Sequence, residues 1–280
     1  MYPSHIITLA RSYVHENART KAFSESDKMQ YLNDAVKMLT FEARQQCPYF
    51  GLVSTTVTQT VAVHYSDIPA WTDRILRVFD DSDHSDEKLP ADFCDQYSEG
   101  FALSDTQFWW IADDRTKTWT LYCTKVPWEC HIGVAGTTGA TSMILATDGA
   151  ATTIGNVWTG ARFNDYYNDA YIYIRVATAN SGQQAKITDY AGATYTATVA
   201  SWPGSTPTAA ITYEIQPIIN PIEWKSLLAW EVALMMMKIG RDEAIDDRRH
   251  PYARLRRAFV DKYANPQMRM GSVIRFNAPE

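Results

Sequence analysis

Residues 187–199 read ITDYAGATYTATV. Apolar and polar residues alternate through the stretch as in a half-buried strand, and AGA in its middle punctuates it as a turn. Its surroundings repeat the theme. SMILAT (142–147), AYIYIRVAT (170–178), QQAKITDY (183–190), ATYTATV (193–199) and ITYEIQ (211–216) are strand-like runs separated by TDGA, ANSGQ, YAGA and SWPGSTP. Residues 133–216 are dominated by Gly, Ala, Thr and Ser, with only Arg162, Arg175 and Lys186 as cations. This shift in composition predicts an inserted all-β domain over 133–216, a small sandwich or barrel.

The two ends of the chain read differently. Ile6, Ile7, Leu9, Ala10, Tyr13 and Val14 form one stripe of a helix over 4–18, with Ser4 as its N-cap. Ser24 and Asp27 resemble a capping box opening a second helix, on which Leu32, Ala35, Val36, Leu39 and Ala43 recur, until Pro48 and Gly51 stop it. Near the other end, Asn220, Pro221 and Glu223 fit N-cap, N1 and N3 of a helix so apolar on every face that it must be buried, with Gly240 ending it. HPYARLRRAFVDKYA predicts a last helix, with Leu255, Ala258, Phe259 and Tyr263 on one side and its arginines on others. Residues 271–280, GSVIRFNAPE, alternate as an extended arm.

Between Leu52 and Ile132 the period is two: LVSTTVTQTVAVHY, WTDRILRVFD and FWWIADDRTKTWTLYC read as strands. DDRTKT reads as the turn of a hairpin joining FWWIA to WTLYCT. Trp109 and Trp110, with Trp119, suggest either a sugar-stacking platform or core packing; adjacent strand residues point to opposite faces, so only one of the pair can lie on a given surface, and core packing is the expected role. The fold class is therefore α+β: terminal helices forming a bundle with a β hairpin region, the inserted β domain, and a C-terminal arm. The expected division is 1–132 and 217–270 for the core, 133–216 for the insertion and 271–280 for the arm.

The formal charge of −6 argues against a general nucleic-acid binder. It is unevenly spread: residues 80–105 carry nine carboxylates against Lys88, whereas 221–280 hold eleven Lys and Arg against eight Asp and Glu. Cys47, Cys94, Cys123 and Cys130 form no CxxC pair and read as buried thiols of a reducing compartment. The start, MYPSHIITLARSYVHE, lacks the pattern of a signal peptide, and no run reaches the about 18 apolar residues that span a bilayer. GTTGATS (136–142) lacks the Lys-Ser/Thr ending of a P-loop, the acidic DDSDHSDE lacks the Gly and final Glu of a calcium loop, and Cys123, Cys130 and His131 lack zinc-finger spacing. No catalytic constellation and no metal or cofactor site is expected.

LARSYVHENARTKAFSESDKMQYLNDAVKML (9–39) and LLAWEVALMMMKIGRDEAIDDRRHPYARLRRAFVDKYANPQMRMGSVIRF (227–276), in that order, resemble the head-to-tail adaptor (connector, or head-completion) proteins of tailed bacteriophages. TQFWWIADDRTKTWTLYCTKVP (106–127) resembles a hairpin those adaptors carry, and residues 164–199 resemble a β module found inserted in phage virion proteins. The resemblance implies a structural, non-enzymatic protein that forms a twelve-fold ring at the virion head–tail junction, assembled in host cytoplasm and without membrane contact. Its implied partners are other copies of itself, the portal protein, a tail or nozzle protein, and viral DNA passing through the lumen. The arm would bind portal through Val273, Ile274, Arg275 and Phe276 by strand addition. Arg254, Arg256 and Arg257 on one side and Asp80, Asp81 and Asp83 on the other are the expected charges of a heterologous ring interface. The rival expectation is a receptor- or carbohydrate-binding virion protein.

Overall fold

The computed structural model describes residues 2–15, 23–60, 63, 65–80, 101–103, 106–110, 116–146, 163–177, 181–208, 211–219, 221–241, 244 and 250–264. Among them are four helices and twelve strands, and every strand pairing is antiparallel, so the fold is α+β.

The stretch that opened the sequence reading is the hairpin β10 (Gln184–Ala191) to β11 (Thr196–Val199). Strict alternation fails inside it. A register shift between Ile187 and Asp189 leaves both Thr188 and Asp189 exposed while Ile187 and Tyr190, three apart, are both buried. An inserted residue of this kind is a β-bulge, which resets the pleat by one position. Tyr195, at φ 54°, closes the turn in the left-handed region.

The chain divides into two units: residues 1–48 with 127–280, and residues 49–126. That differs from the expected division. The interruption in the helical unit is Tyr49–Val126, whereas the strands of 133–216 share a unit with the helices. The reason lies in β7 (His131–Val134), which runs across the expected boundary and pairs along its length with β12 (Thr212–Ile215), so the sheet cannot be separated at residue 133. With β8 (Ser142–Ile144) and β9 (Tyr171–Val176), the five predicted runs are all strands, but they and β7 form one sheet ordered β7-β12-β9-β10-β11-β8.

In the first unit α1 (Pro3–Tyr13) starts two residues earlier than a Ser4 cap would allow. Tyr2 is the N-cap and Pro3 occupies the first turn, where its missing N–H costs nothing. The Ser4 amide donates instead to the Glu214 carboxylate on β12 at 3.0 Å, an acid supplied from far along the chain to a helix N-terminus. In α2 (Glu25–Gln46) the capping box is present: Ser24 Oγ accepts from the Asp27 amide at 3.0 Å, and Asp27 accepts from the Ser24 amide at 2.9 Å. Buried Asn33 on α2 clamps the backbone of Cys130 in both directions, at 2.7 and 3.3 Å. The third helix, α3 (Pro221–Met237), packs against α1, where Tyr13 stacks on Trp230 at 4.3 Å, and also touches α2 and α4 (Pro251–Ala264).

Gly240 does not end α3. The Ile239 amide bonds to the Leu234 carbonyl and the Lys238 amide to that of Met235, with Lys238 at φ 57°. This is a Schellman turn with lysine where glycine is usual.

The second unit holds two three-stranded sheets. One is β1 (Leu52–Gln59), β6 (Lys117–Lys125) and β3 (Thr72–Asp80); the other is β2 (Tyr65–Asp67), β5 (Gln107–Trp110) and β4 (Phe101–Leu103). Among the described residues FWWIA and WTLYCT do not pair as the expected hairpin: β5 and β6 belong to different sheets, with β6 central in its own, and residues 111–115 of the expected turn lie outside the described residues. Their contact is between faces. Phe108 and Trp110 meet Trp119, Leu121, Val57 and Val78 in one core.

Candidate functional site

Glu231 is the only charged residue between Lys225 and Lys238, and it is fully buried within α3. A lone carboxylate cannot stay ionised in such surroundings without partners. The left-handed turn at Lys238 supplies one by carrying Arg241 back along α3. Arg241 Nη2 lies 2.6 Å from Glu231 Oε1 and 3.0 Å from Glu42 Oε1 on α2, and its Nε donates to Tyr252 Oη at 3.0 Å. Tyr252, on α4, donates in turn to Glu231 Oε1 at 2.8 Å. Arg256, one turn further along α4, forks onto Glu42 at 2.7 and 3.3 Å.

Two carboxylates and two guanidiniums thus join α2, α3, α4 and the segment after α3, with formal charge balanced. Burial pushes the Glu231 carboxyl above its usual value, against the pull of Arg241. Burial and then Glu231 raise the Tyr252 hydroxyl. Glu231 Oε2 has no hydrogen-bond partner in this arrangement.

The expected ring charges fall apart by position. Arg256 is committed to Glu42 within its own chain, because α4 turns that side toward α2. Arg254 is exposed, and Arg257 is exposed with Asp261 at 3.9 Å. Asp80 is the last residue of β3, opposite Trp119. Asp81, Asp83 and the arm residues Val273, Ile274, Arg275 and Phe276 lie outside the described residues, as do Cys94 and the acidic loop.

His131 and the described cysteines Cys47, Cys123 and Cys130 are buried, whereas His5 and His15 are exposed. His131 Nε2 lies 2.9 Å from Tyr213 Oη, which also accepts from the Ala146 amide at 2.6 Å; burial lowers His131 to about 3. Burial raises the Cys123 thiol to about 11 and pushes Cys130 higher still. The described residues hold no cluster of three or more metal-ligating side chains, and no described helix is long and apolar enough to cross a membrane.

Sequence reasoning did not find the cluster of Glu42, Glu231, Arg241 and Tyr252. The signal for Glu231 was present, one acid inside IEWKSLLAWEVALMMMKI, but its partners sit on helices whose packing no local pattern specifies. No protein-family model and no curated protein matches the sequence.

Proposed function

We propose that the chain is a structural virion protein, a head-to-tail adaptor subunit that closes into a ring with copies of itself, binds portal through its C-terminal arm and forms part of the DNA conduit. One observation carries this reading. Helices from the two ends of the sequence build a single unit, with α1 and α2 packed on α3 and the Glu42–Arg256 pair tying positions 214 residues apart. A ring subunit needs such a body, because rigid flanks must meet at a fixed angle for the rotation to close.

With Arg256 held by Glu42, Arg254 and Arg257 are the exposed α4 arginines proposed to meet a neighbour, and they would give orientation more than affinity, since exposed pairs contribute about 0–1 kcal/mol. Negative-stain microscopy of the protein, alone and mixed with its portal protein, tests the reading. Rings in either sample support it, whereas a monomer in both rejects it. Arg254→Glu with Arg257→Glu should weaken closure of a folded subunit. Removal of residues 271–280 should abolish portal binding, and a truncated chain that still binds portal would refute the role of the arm.

A further inference from the structure

The strand β5 separates its two tryptophans by face. Trp110 and Phe108 point into the core, fully or almost fully buried, while Trp109 points the other way and is half-buried. Register places Tyr65 of β2 directly across from Trp109 and Asp67 directly across from Gln107. Cross-strand partners share a face, so Tyr65, Trp109, Asp67 and Gln107 lie together on the outer side of the sheet. The two rings are 5.0 Å apart and tilted by 37°. Tyr65 is 42% exposed, Val63 beside it 41%, and Asp67 is exposed.

We infer that this face is a saccharide-binding platform for neutral or N-acetylated hexopyranoses. Three features set the ligand class. The tilted aromatic pair offers a broad π surface that attracts the slightly positive C–H face of a pyranose by the same quadrupole that draws cations and ring edges. The carboxylate of Asp67 stands two residues along β2 from Tyr65, about 7 Å from the rings at antiparallel spacing, within reach of the hydroxyls of a sugar stacked there. Among the described residues this face bears one carboxylate and no cation, so its charge disfavours sialic and uronic acids. An apolar protein partner would leave Asp67 desolvated without a mate, whereas sugar hydroxyls donate to it. The inference stands apart from the adaptor reading, since it concerns the second unit alone and requires no ring.

The test uses the intact chain with cellotriose, maltotriose, chitotriose and 3′-sialyllactose, followed by tryptophan fluorescence and by saturation-transfer NMR. At least one neutral oligosaccharide should bind saturably, and sialyllactose at least tenfold more weakly. Trp109→Ala should reduce that affinity tenfold or more, and Asp67→Asn several-fold. Tyr65→Ala, at an exposed edge position, should also weaken it tenfold while leaving the circular dichroism unchanged, so that the test survives if Trp109→Ala fails to fold. Absence of binding by all three neutral sugars, equal binding of sialyllactose, or unaltered affinity in folded Tyr65→Ala overturns the inference.

Discussion

Replacing Arg241 by Met removes the cation that lets Glu231 remain in the middle of α3. At 2.6 Å and an effective dielectric of about 20, the gross attraction between the two is about 6 kcal/mol. Desolvation of both groups offsets much of that in the native protein, but the substitution leaves the buried carboxylate uncompensated while Glu42 keeps Arg256. Loss of one partner from a buried pair costs about 3–5 kcal/mol. We expect a value near the lower end, about 3 kcal/mol, because Glu231 can escape by taking a proton and Tyr252 still donates to it. That escape has a sign. The folded carboxyl, already raised by burial, rises further, so the folded state holds a proton that the unfolded state has released. Between the unfolded carboxylate value and the raised one, stability therefore falls as pH rises. The variant should trail the native protein least at about pH 5 and most at about pH 8, windows set by the ordinary carboxylate value. Urea denaturation followed by the helical circular-dichroism signal reads both quantities. Arg241→Met combined with Glu231→Met should recover most of the loss, since apolar side chains of similar volume replace buried ion pairs well. A loss below about 1 kcal/mol, or a gap that does not widen with pH, refutes the reasoning that ranks this pair among the costly ones.

Three further outcomes follow from other positions. Lys238→Gly should stabilise the chain by about 0.5–1 kcal/mol in the same denaturation assay, since the strain relieved at a left-handed lysine outweighs the extra entropy glycine gives the unfolded chain. Gly133→Ala should destabilise it by about 1–3 kcal/mol, because a Cβ there would lie 2.6 Å from His131 Nε2, 2.7 Å from Tyr213 Oη and 2.9 Å from the Ala146 Cβ; a change within about 0.5 kcal/mol contradicts the packing. The His131 ring should show no titration in NMR spectra between about pH 5 and pH 8. Because its folded value is depressed, its contribution to stability is complete above the unfolded value near 6.5 and is lost as pH falls from there toward 3. Replacing His131 by Gln should flatten that acid limb.

What was legible in the sequence was local. The capping box of Ser24 and Asp27, the stripe from Leu32 to Ala43 and the all-round apolar face of α3 are set by residues within a turn or two of one another. The five strands of 133–216 were likewise legible as strands. Their partners were not, because a period of two says that a strand is half-buried and nothing about what lies beside it. Thus FWWIA and WTLYCT, close in sequence and joined by polar residues, looked like a hairpin and proved to be opposite walls of a core. The bulge at Thr188–Asp189 escaped for a related reason, since Ile187 and Tyr190 fit strand spacing only after one residue is displaced. At the site, Arg256 resembled its exposed neighbours Arg254 and Arg257 until Glu42, far away in sequence, was placed beside it. Lys238 was passed over in favour of Gly240 because lysine so seldom adopts a positive φ.

The way the two units interleave along the chain fixes an order of events on the ribosome. Tyr49–Val126 is continuous in sequence, so its sandwich can close while the polypeptide is still being extended. Residues 3–46 emerge sooner but lack α3, the helix against which both α1 and α2 chiefly pack, until Pro221 and beyond are translated. Until then the nascent protein carries much of the apolar stripes of α1 and α2 uncovered, and chaperone occupancy on those two helices should fall once α3 and α4 have emerged.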